Sequence, residues 1–127
     1  KEAAKLNIDI LLESLLPHSL LLKFMEKIGS PIKCVFDTGN IINKIDCIYS
    51  EIYNLRDYLE HIHIKDKFVN MKSCILGQGI VDFKKVFKAL KTIEYKNALV
   101  LETPRGDDPM ETCKKNIQFI KNKFLEV

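Results

Sequence analysis

The sequence predicts an α/β fold in which four parallel strands alternate with helices and make up half of an eight-stranded barrel. Three observations predict it. Short apolar runs recur about every thirty residues, at residues 6–12, 32–36, 59–66 and 98–101. Each is followed by a stretch with helical spacing long enough for a crossover, and such regular alternation is the pattern of a parallel sheet. Three of the runs are nearly continuous in apolar residues, as strands covered on both faces must be.

Taken in order, residues 1–5 read as the last turn or two of a helix already under way, and with no initiator Met the chain reads as a fragment. Residues 6–12 are the first strand, closing at Glu13. Pro17 then suits a first-turn position, Leu20, Leu21, Phe24, Met25 and Ile28 recur at helical spacing, and Gly29 supplies a left-handed stop. Ser30 and Pro31 turn into the second strand, which ends in the turn formers Asp37, Thr38, Gly39 and Asn40. Residues 43–58 place Ile45, Ile48, Ile52 and Leu55 on one helical face, with Asp46, Glu51 and Asp57 among the polar positions. Residues 59–66 alternate with period two, as a strand does, and residues 67–79 form a loop long enough to carry function. Asp82 caps a helix over 83–93 with Val86, Phe87, Leu90 and Ile93 inward; the fourth strand ends at Glu102, and a last helix follows Pro109. No glycine-rich phosphate fingerprint follows the first strand, which counts against an open nucleotide-binding sheet.

The composition, 46% hydrophobic and 29% charged over 127 residues, is that of one soluble globular domain able to bury a core. The net charge of +3 comes from lysines scattered among acids, which counts against a nucleic-acid partner. No apolar run approaches the ~20 residues that a membrane span needs. The four cysteines, Cys34, Cys47, Cys74 and Cys113, form no close pair of the zinc-ribbon or redox kind. Cys34 and Cys47 sit in apolar surroundings that read as core. Free thiols without a secretory signal predict a cytoplasmic protein.

The chemistry lies at the strand ends. Glu13, Asp37, His63 and Glu102 each close or nearly close a different strand. In a barrel all four would converge on the C-terminal mouth, where active sites of this fold lie. Three carboxylates and one imidazole suit a hard or borderline divalent cation, and a thiolate site would look different. Of His61 and His63, two residues apart on one strand face, His63 is nearer the C-terminal end and is the candidate ligand.

Here a resemblance becomes specific. Cys34-Val35-Phe36-Asp37-Thr38-Gly39-Asn40, His61-Ile62-His63-Ile64-Lys65-Asp66 and Gly77-Gln78-Gly79-Ile80-Val81-Asp82-Phe83 resemble, in order and spacing, segments of the xylose isomerase-like TIM-barrel family. That family comprises sugar-phosphate isomerases and epimerases and is also known as AP endonuclease family 2. Leu11-Leu12-Glu13-Ser14 and Leu99-Val100-Leu101-Glu102 resemble the two strands that bring the family's glutamates. The resemblance implies that residues 1–127 form a single partial domain, the C-terminal half of a (β/α)8 TIM barrel, about strands five to eight, with the N-terminal strands missing. It implies a metal, Mn, Mg, Co or Zn, held by Glu13, Asp37, His63 and Glu102, with Glu13 and Glu102 doubling as the acid–base pair. The implied reaction is isomerisation or epimerisation of a ketose or sugar phosphate. One carboxylate removes a proton beside the carbonyl, the cation stabilises the enediolate, and the other carboxylate returns the proton.

Asn40 stands where many members have His; it can hydrogen-bond a sugar hydroxyl but cannot shuttle a proton near neutral pH, and is read as positioning substrate. His61 joins it as a substrate-binding candidate. Lys65, Lys67 and Lys72 surround the long loop and are candidates for a substrate phosphate, Lys65 and Lys67 foremost, and Arg105 is a candidate for a substrate oxygen. Two other readings compete. An endonuclease IV-like abasic-site nuclease needs a three-metal cluster rich in histidine, whereas this chain has only His18, His61 and His63. A non-catalytic sugar-binding remnant of a barrel would have had less reason to keep all four ligands. Open strand edges on a half barrel predict either self-association or poor solubility.

Overall fold

A computed structural model of the 127-residue chain describes residues 2–29 and 32–127. The turn expected at Ser30 and Pro31 lies outside them. After a short helix α1 (Glu2–Lys5), the order is β1 (Ile10–Glu13), α2 (His18–Ile28), β2 (Ile32–Asp37), a 3-10 turn at Ile42–Lys44, α3 (Ile48–Leu55) and β3 (Leu59–Ile64). Then come β4 (Asp66–Lys67), β5 (Ser73–Cys74), α4 (Phe83–Thr92), β6 (Leu99–Leu101) and α5 (Pro109–Leu125).

Four strands form one sheet in the order β1-β2-β3-β6, and every pairing is parallel. A parallel sheet with alternating helices is the expected class, part of a (β/α)8 barrel. One face of the sheet carries the helices, and Cys34, Phe36, Ile62 and Ile64 pack there against Met25, Ile48, Ile52, Leu55, Val86 and Phe87, all 3% exposed or less. Alternation along the strands sends Glu13, Val35, Asp37, His61, His63 and Val100 to the other face, in register through Glu13↔Val35, Asp37↔His63 and His63↔Val100. Edge-to-face aromatic pairs, Phe83 with Phe119 at 5.3 Å and Phe87 with Phe124 at 6.0 Å, tie α4 to α5.

Several elements differ from their sequence expectation. The first strand begins at Ile10, with Asn7 in the left-handed region at φ 53°, so the apolar residues Leu6 and Ile8 precede it as exposed loop. Pro17 is the residue before α2, not within its first turn. The N-terminus of α2 is instead capped from α3: buried Glu51 accepts the His18 backbone N–H at 2.7 Å and pairs with His18 Nδ1 at 2.9 Å. An acid expected on a polar helix face thus serves an orphan backbone donor of a neighbouring helix. The loop after β3 is ordered by the small antiparallel pair β4–β5, with Asp66 opposite Cys74. All four cysteines are free; burial pushes the Cys34 thiol up to about 12, whereas Cys47, expected in the core, is only half-buried. No helix among the described residues is long and apolar enough to cross a membrane.

Candidate metal centre

The parallel register delivers the four predicted ligands to one end of the sheet. Glu13 ends β1, Asp37 ends β2, His63 is the penultimate residue of β3, and Glu102 directly follows β6, its N–H bonded to the Ile64 carbonyl at 3.1 Å. Glu13, Asp37 and His63 each offer a ligand atom within 4.8 Å of the other two. Glu102 joins the group at the same imidazole nitrogen. His63 Nδ1 lies 3.1 Å from Glu102 Oε2, 3.5 Å from Glu13 Oε2 and 4.0 Å from Asp37 Oδ2. None of these oxygens lies where it can complete a hydrogen bond, so Nδ1 is left buried without a partner. A buried imidazole nitrogen facing three carboxylates and bonded to none is unfavourable in the protein alone. It fits a divalent cation, because a hard or borderline ion takes this set of oxygen and imidazole donors.

Around that centre the chain is tightly specified. Asp37 Oδ1 accepts the backbone N–H groups of Gly39 at 2.9 Å and Asn40 at 2.8 Å, which closes the turn after β2. The Asn40 side-chain amide donates to Asp37 Oδ2 at 2.8 Å and to Glu13 Oε1 at 3.1 Å, so the residue expected to position substrate also ties two carboxylates together. Lys65 Nζ bonds Glu102 Oε1 and lies 3.4 Å from Asp37 Oδ2. The charges shift accordingly. Burial pushes the Asp37 carboxyl above its ordinary value, against the pull of the Asn40 N–H, Lys65 and the Gly39 N–H. The Lys65 hydrogen bond holds the Glu102 carboxyl below the usual carboxylate range. For Lys65 itself, burial works against the charged form, but the bonds to Glu102 and Asp37 outweigh it and raise the ammonium above the usual lysine value.

The other expected site residues separate. Lys67 lines an open cavity of about 340 Å³ with Glu13, Ser14, Leu15 and Asn40, and among the described residues it makes no ion pair. The size suits a small-molecule ligand. His61 is half-buried one pleat repeat before His63, opposite Val35. Arg105 is not brought to the cluster: it is exposed and lines a different cavity with Thr103, Pro109, Thr112 and Asn116, between the end of β6 and α5. A larger cavity of about 470 Å³, lined by Asp9, Ile32, Lys33 and Tyr58 among others, opens at the opposite end of the strands and contains none of the clustered ligands. In barrels of this class that end serves stability, not chemistry.

Two residues that support the site were not singled out from the sequence. The Thr38 hydroxyl donates to the Lys65 carbonyl at 2.7 Å and accepts the Lys65 N–H at 2.9 Å, joining the ends of β2 and β3. Asp66, fully buried, accepts four backbone N–H groups of its own loop, from Lys67, Gly77, Gly79 and Val81. The two glycines spaced two apart in Gly77-Gln78-Gly79 are the only trace of that arrangement in the sequence.

Comparison with known proteins bears on the family and the fold. The family described as xylose isomerase-like TIM barrel matches residues 1–123. An inosose dehydratase of Clostridium botulinum (strain Alaska E43 / Type E3) is 27% identical, the match covering 70% of this chain and 37% of that protein. The structure of an L-ribulose 3-epimerase superposes with a TM-score of 0.82 at 22% identity, covering 98% of this chain and 50% of that one. A D-psicose 3-epimerase of Clostridium cellulolyticum H10, solved with D-tagatose, superposes with a TM-score of 0.79 at 19% identity, covering 96% and 51%. The chain thus spans from about a third to about half of the length of these proteins, and the structural likeness shows the fold.

Proposed function

The chain belongs to the xylose isomerase-like TIM-barrel family, and from that premise we propose that it is part of a divalent-metal-dependent enzyme that isomerises or epimerises a ketose or sugar phosphate. Glu13, Asp37, His63 and Glu102 are the proposed metal ligands. The observation that carries the reading is the unpartnered His63 Nδ1 facing Glu13, Asp37 and Glu102.

A divalent ion held there would polarise the substrate carbonyl and offset the negative charge that builds on oxygen when a neighbouring carbon loses its proton. The chain's own residues do the rest. Glu13 and Glu102 approach the His63 imidazole from the ends of different strands, which supports the reading that one carboxylate takes the proton and the other returns it, a role worth ~10² to 10⁴ in rate. Return on the opposite face of the same carbon gives an epimer; return at the adjacent carbon gives an isomer. Asn40 fixes Glu13 relative to Asp37 and turns toward the cavity where substrate hydroxyls would lie. Lys67, on the wall of that cavity, is the proposed partner of an anionic substrate group such as a phosphate.

The inosose dehydratase likeness favours a second reading. Dehydration begins with the same proton removal and ends with loss of a hydroxyl one carbon away, so the two readings share the site and differ in product. The test is proton exchange in heavy water. The metal-supplemented protein is mixed with a panel of ketoses, ketose phosphates and inosose, and the carbon-bound proton beside the carbonyl is followed by NMR. Exchange that a chelator stops and Glu102→Gln abolishes is the expected result, and an enone product in place of an epimer would select the dehydratase reading. No exchange with any compound would sink the proposal.

A further inference from the structure

We propose that Lys65 is the resident counter-cation of this centre, holding Asp37 and Glu102 while no divalent ion is bound and giving up both carboxylates when one binds. The inference rests on the metal site proposed above. Glu13, Asp37 and Glu102 bring three carboxylates around one imidazole, and like charges so close repel unless a cation offsets them. The Lys65 ammonium is that cation, bonded to Glu102 Oε1 and 3.4 Å from Asp37 Oδ2.

Lys65 and a divalent ion beside His63 would draw on the same groups. Asp37 Oδ2, which faces His63 Nδ1 at 4.0 Å, is the oxygen nearest Lys65 on that residue, and the Glu102 carboxylate spans Nδ1 and Nζ with its two oxygens. A doubly charged ion there would also repel the ammonium directly. The two therefore compete, and the stronger charge displaces the weaker.

The lysine is built into place. Its side chain is only 11% exposed. The Thr38 hydroxyl holds its backbone on both sides, and a Cβ at Gly39 would lie 2.8 Å from Lys65 Cγ, so only glycine leaves the stem its path. Asp37-Thr38-Gly39 and Lys65 thus act as one device: Asp37 supplies the charge, Thr38 locks the backbone and Gly39 gives the stem room. An ammonium released from Asp37 and Glu102 is then free for a substrate oxygen, which couples metal loading to substrate capture.

Cobalt(II) is the probe. Lys65→Met removes the competing charge and should tighten Co²⁺ binding, followed by visible absorption, on the order of tenfold or more. Unchanged or weaker binding by the folded variant overturns the inference. The unaltered protein gives a second readout that needs no variant. Acetylation of Lys65 by acetic anhydride, read by mass spectrometry, should speed up when Co²⁺ saturates the site, and equal or slower labelling overturns the inference. A parent protein that binds no Co²⁺ removes the metal site itself and this inference with it, whereas a parent that binds and a lysine that does not respond removes this inference alone.

Discussion

Lys65 and Asp66 are neighbours in one motif, yet they serve opposite sides of the chain. Lys65 turns to the ligand cluster, while the Asp66 carboxylate turns into its own loop and takes N–H groups from Lys67 at 2.9 Å, Gly77 at 2.9 Å, Gly79 at 2.9 Å and Val81 at 3.2 Å. Removing that acceptor strands four buried or part-buried donors at once, so Asp66→Ala is expected to cost on the order of 3 kcal/mol in urea denaturation. A loss under about 1 kcal/mol would mean that water replaces the carboxylate. Gly79→Ala should be as damaging by another route, because its Cβ would fall 2.2 Å from Asp66 Oδ1 and 2.3 Å from the Lys67 carbonyl oxygen. At this scale the sequence was legible where a residue sits at the end of an apolar run, which is why Glu13, Asp37, His63 and Glu102 could be named as a group. It was not legible for Lys65, whose pairing depends on two carboxylates from other strands. Nor was it legible for Arg105, because closeness to Glu102 in the chain does not fix the direction taken after the strand ends.

Among the elements, α3 shows where periodicity misleads. Ile45, Ile48, Ile52 and Leu55 share helical spacing, but Ile45 is extended at φ −131° and ψ 150°, and the helix begins only at Ile48 after a separate 3-10 turn. Ile45 packs on the core from a connecting segment, so an apolar position matched the period without belonging to the helix. The helix α4 shows the reverse, since its start is a local matter. Asp82 accepts the Lys85 N–H at 3.1 Å, an N-cap that spacing alone could identify. Asp82→Ala should therefore destabilise the protein by about 1 kcal/mol at neutral pH. Burial works to raise the Asp82 carboxyl, but the bonds from the Lys85 N–H and ammonium outweigh it and hold the group below its ordinary value. A carboxyl depressed in the folded state binds protons less readily there than in the unfolded chain. Its contribution is full above the ordinary aspartate value of ~3.9 and is lost as pH falls through the folded value. The difference between parent and Asp82→Ala should accordingly shrink in acid; a constant difference down to that range would assign the effect to something other than the charge.

At the scale of the whole molecule the sheet is open. Among the described residues β1 pairs only with β2 and β6 only with β3, whereas a closed barrel has no edge. The flanks of both edges are apolar. Leu20, Phe24 and Ile28 form an exposed stripe at four-residue spacing along α2, and Ile117, Phe124 and Leu125 are exposed on α5. The chain's accessible surface is 7936 Å², against roughly 6,900 Å² for a compact monomer of its 14.7 kDa mass. The excess, roughly 1,000 Å², is about what one partner contributes to a stable protein interface, ~800 Å². The 127-residue chain taken alone is therefore expected to self-associate, and sedimentation velocity over a wide concentration range should show its mass rising with concentration. Charges on the two stripes identify the faces used. Leu20→Glu with Phe24→Glu weakens association through the β1 flank, and Ile117→Glu with Leu125→Glu weakens it through the β6 flank. Because these positions are exposed, neither pair should disturb the fold by more than the small amounts usual for surface changes. A chain that stays monomeric at every concentration and binds no dye specific for exposed apolar surface would show that its two edges are already protected.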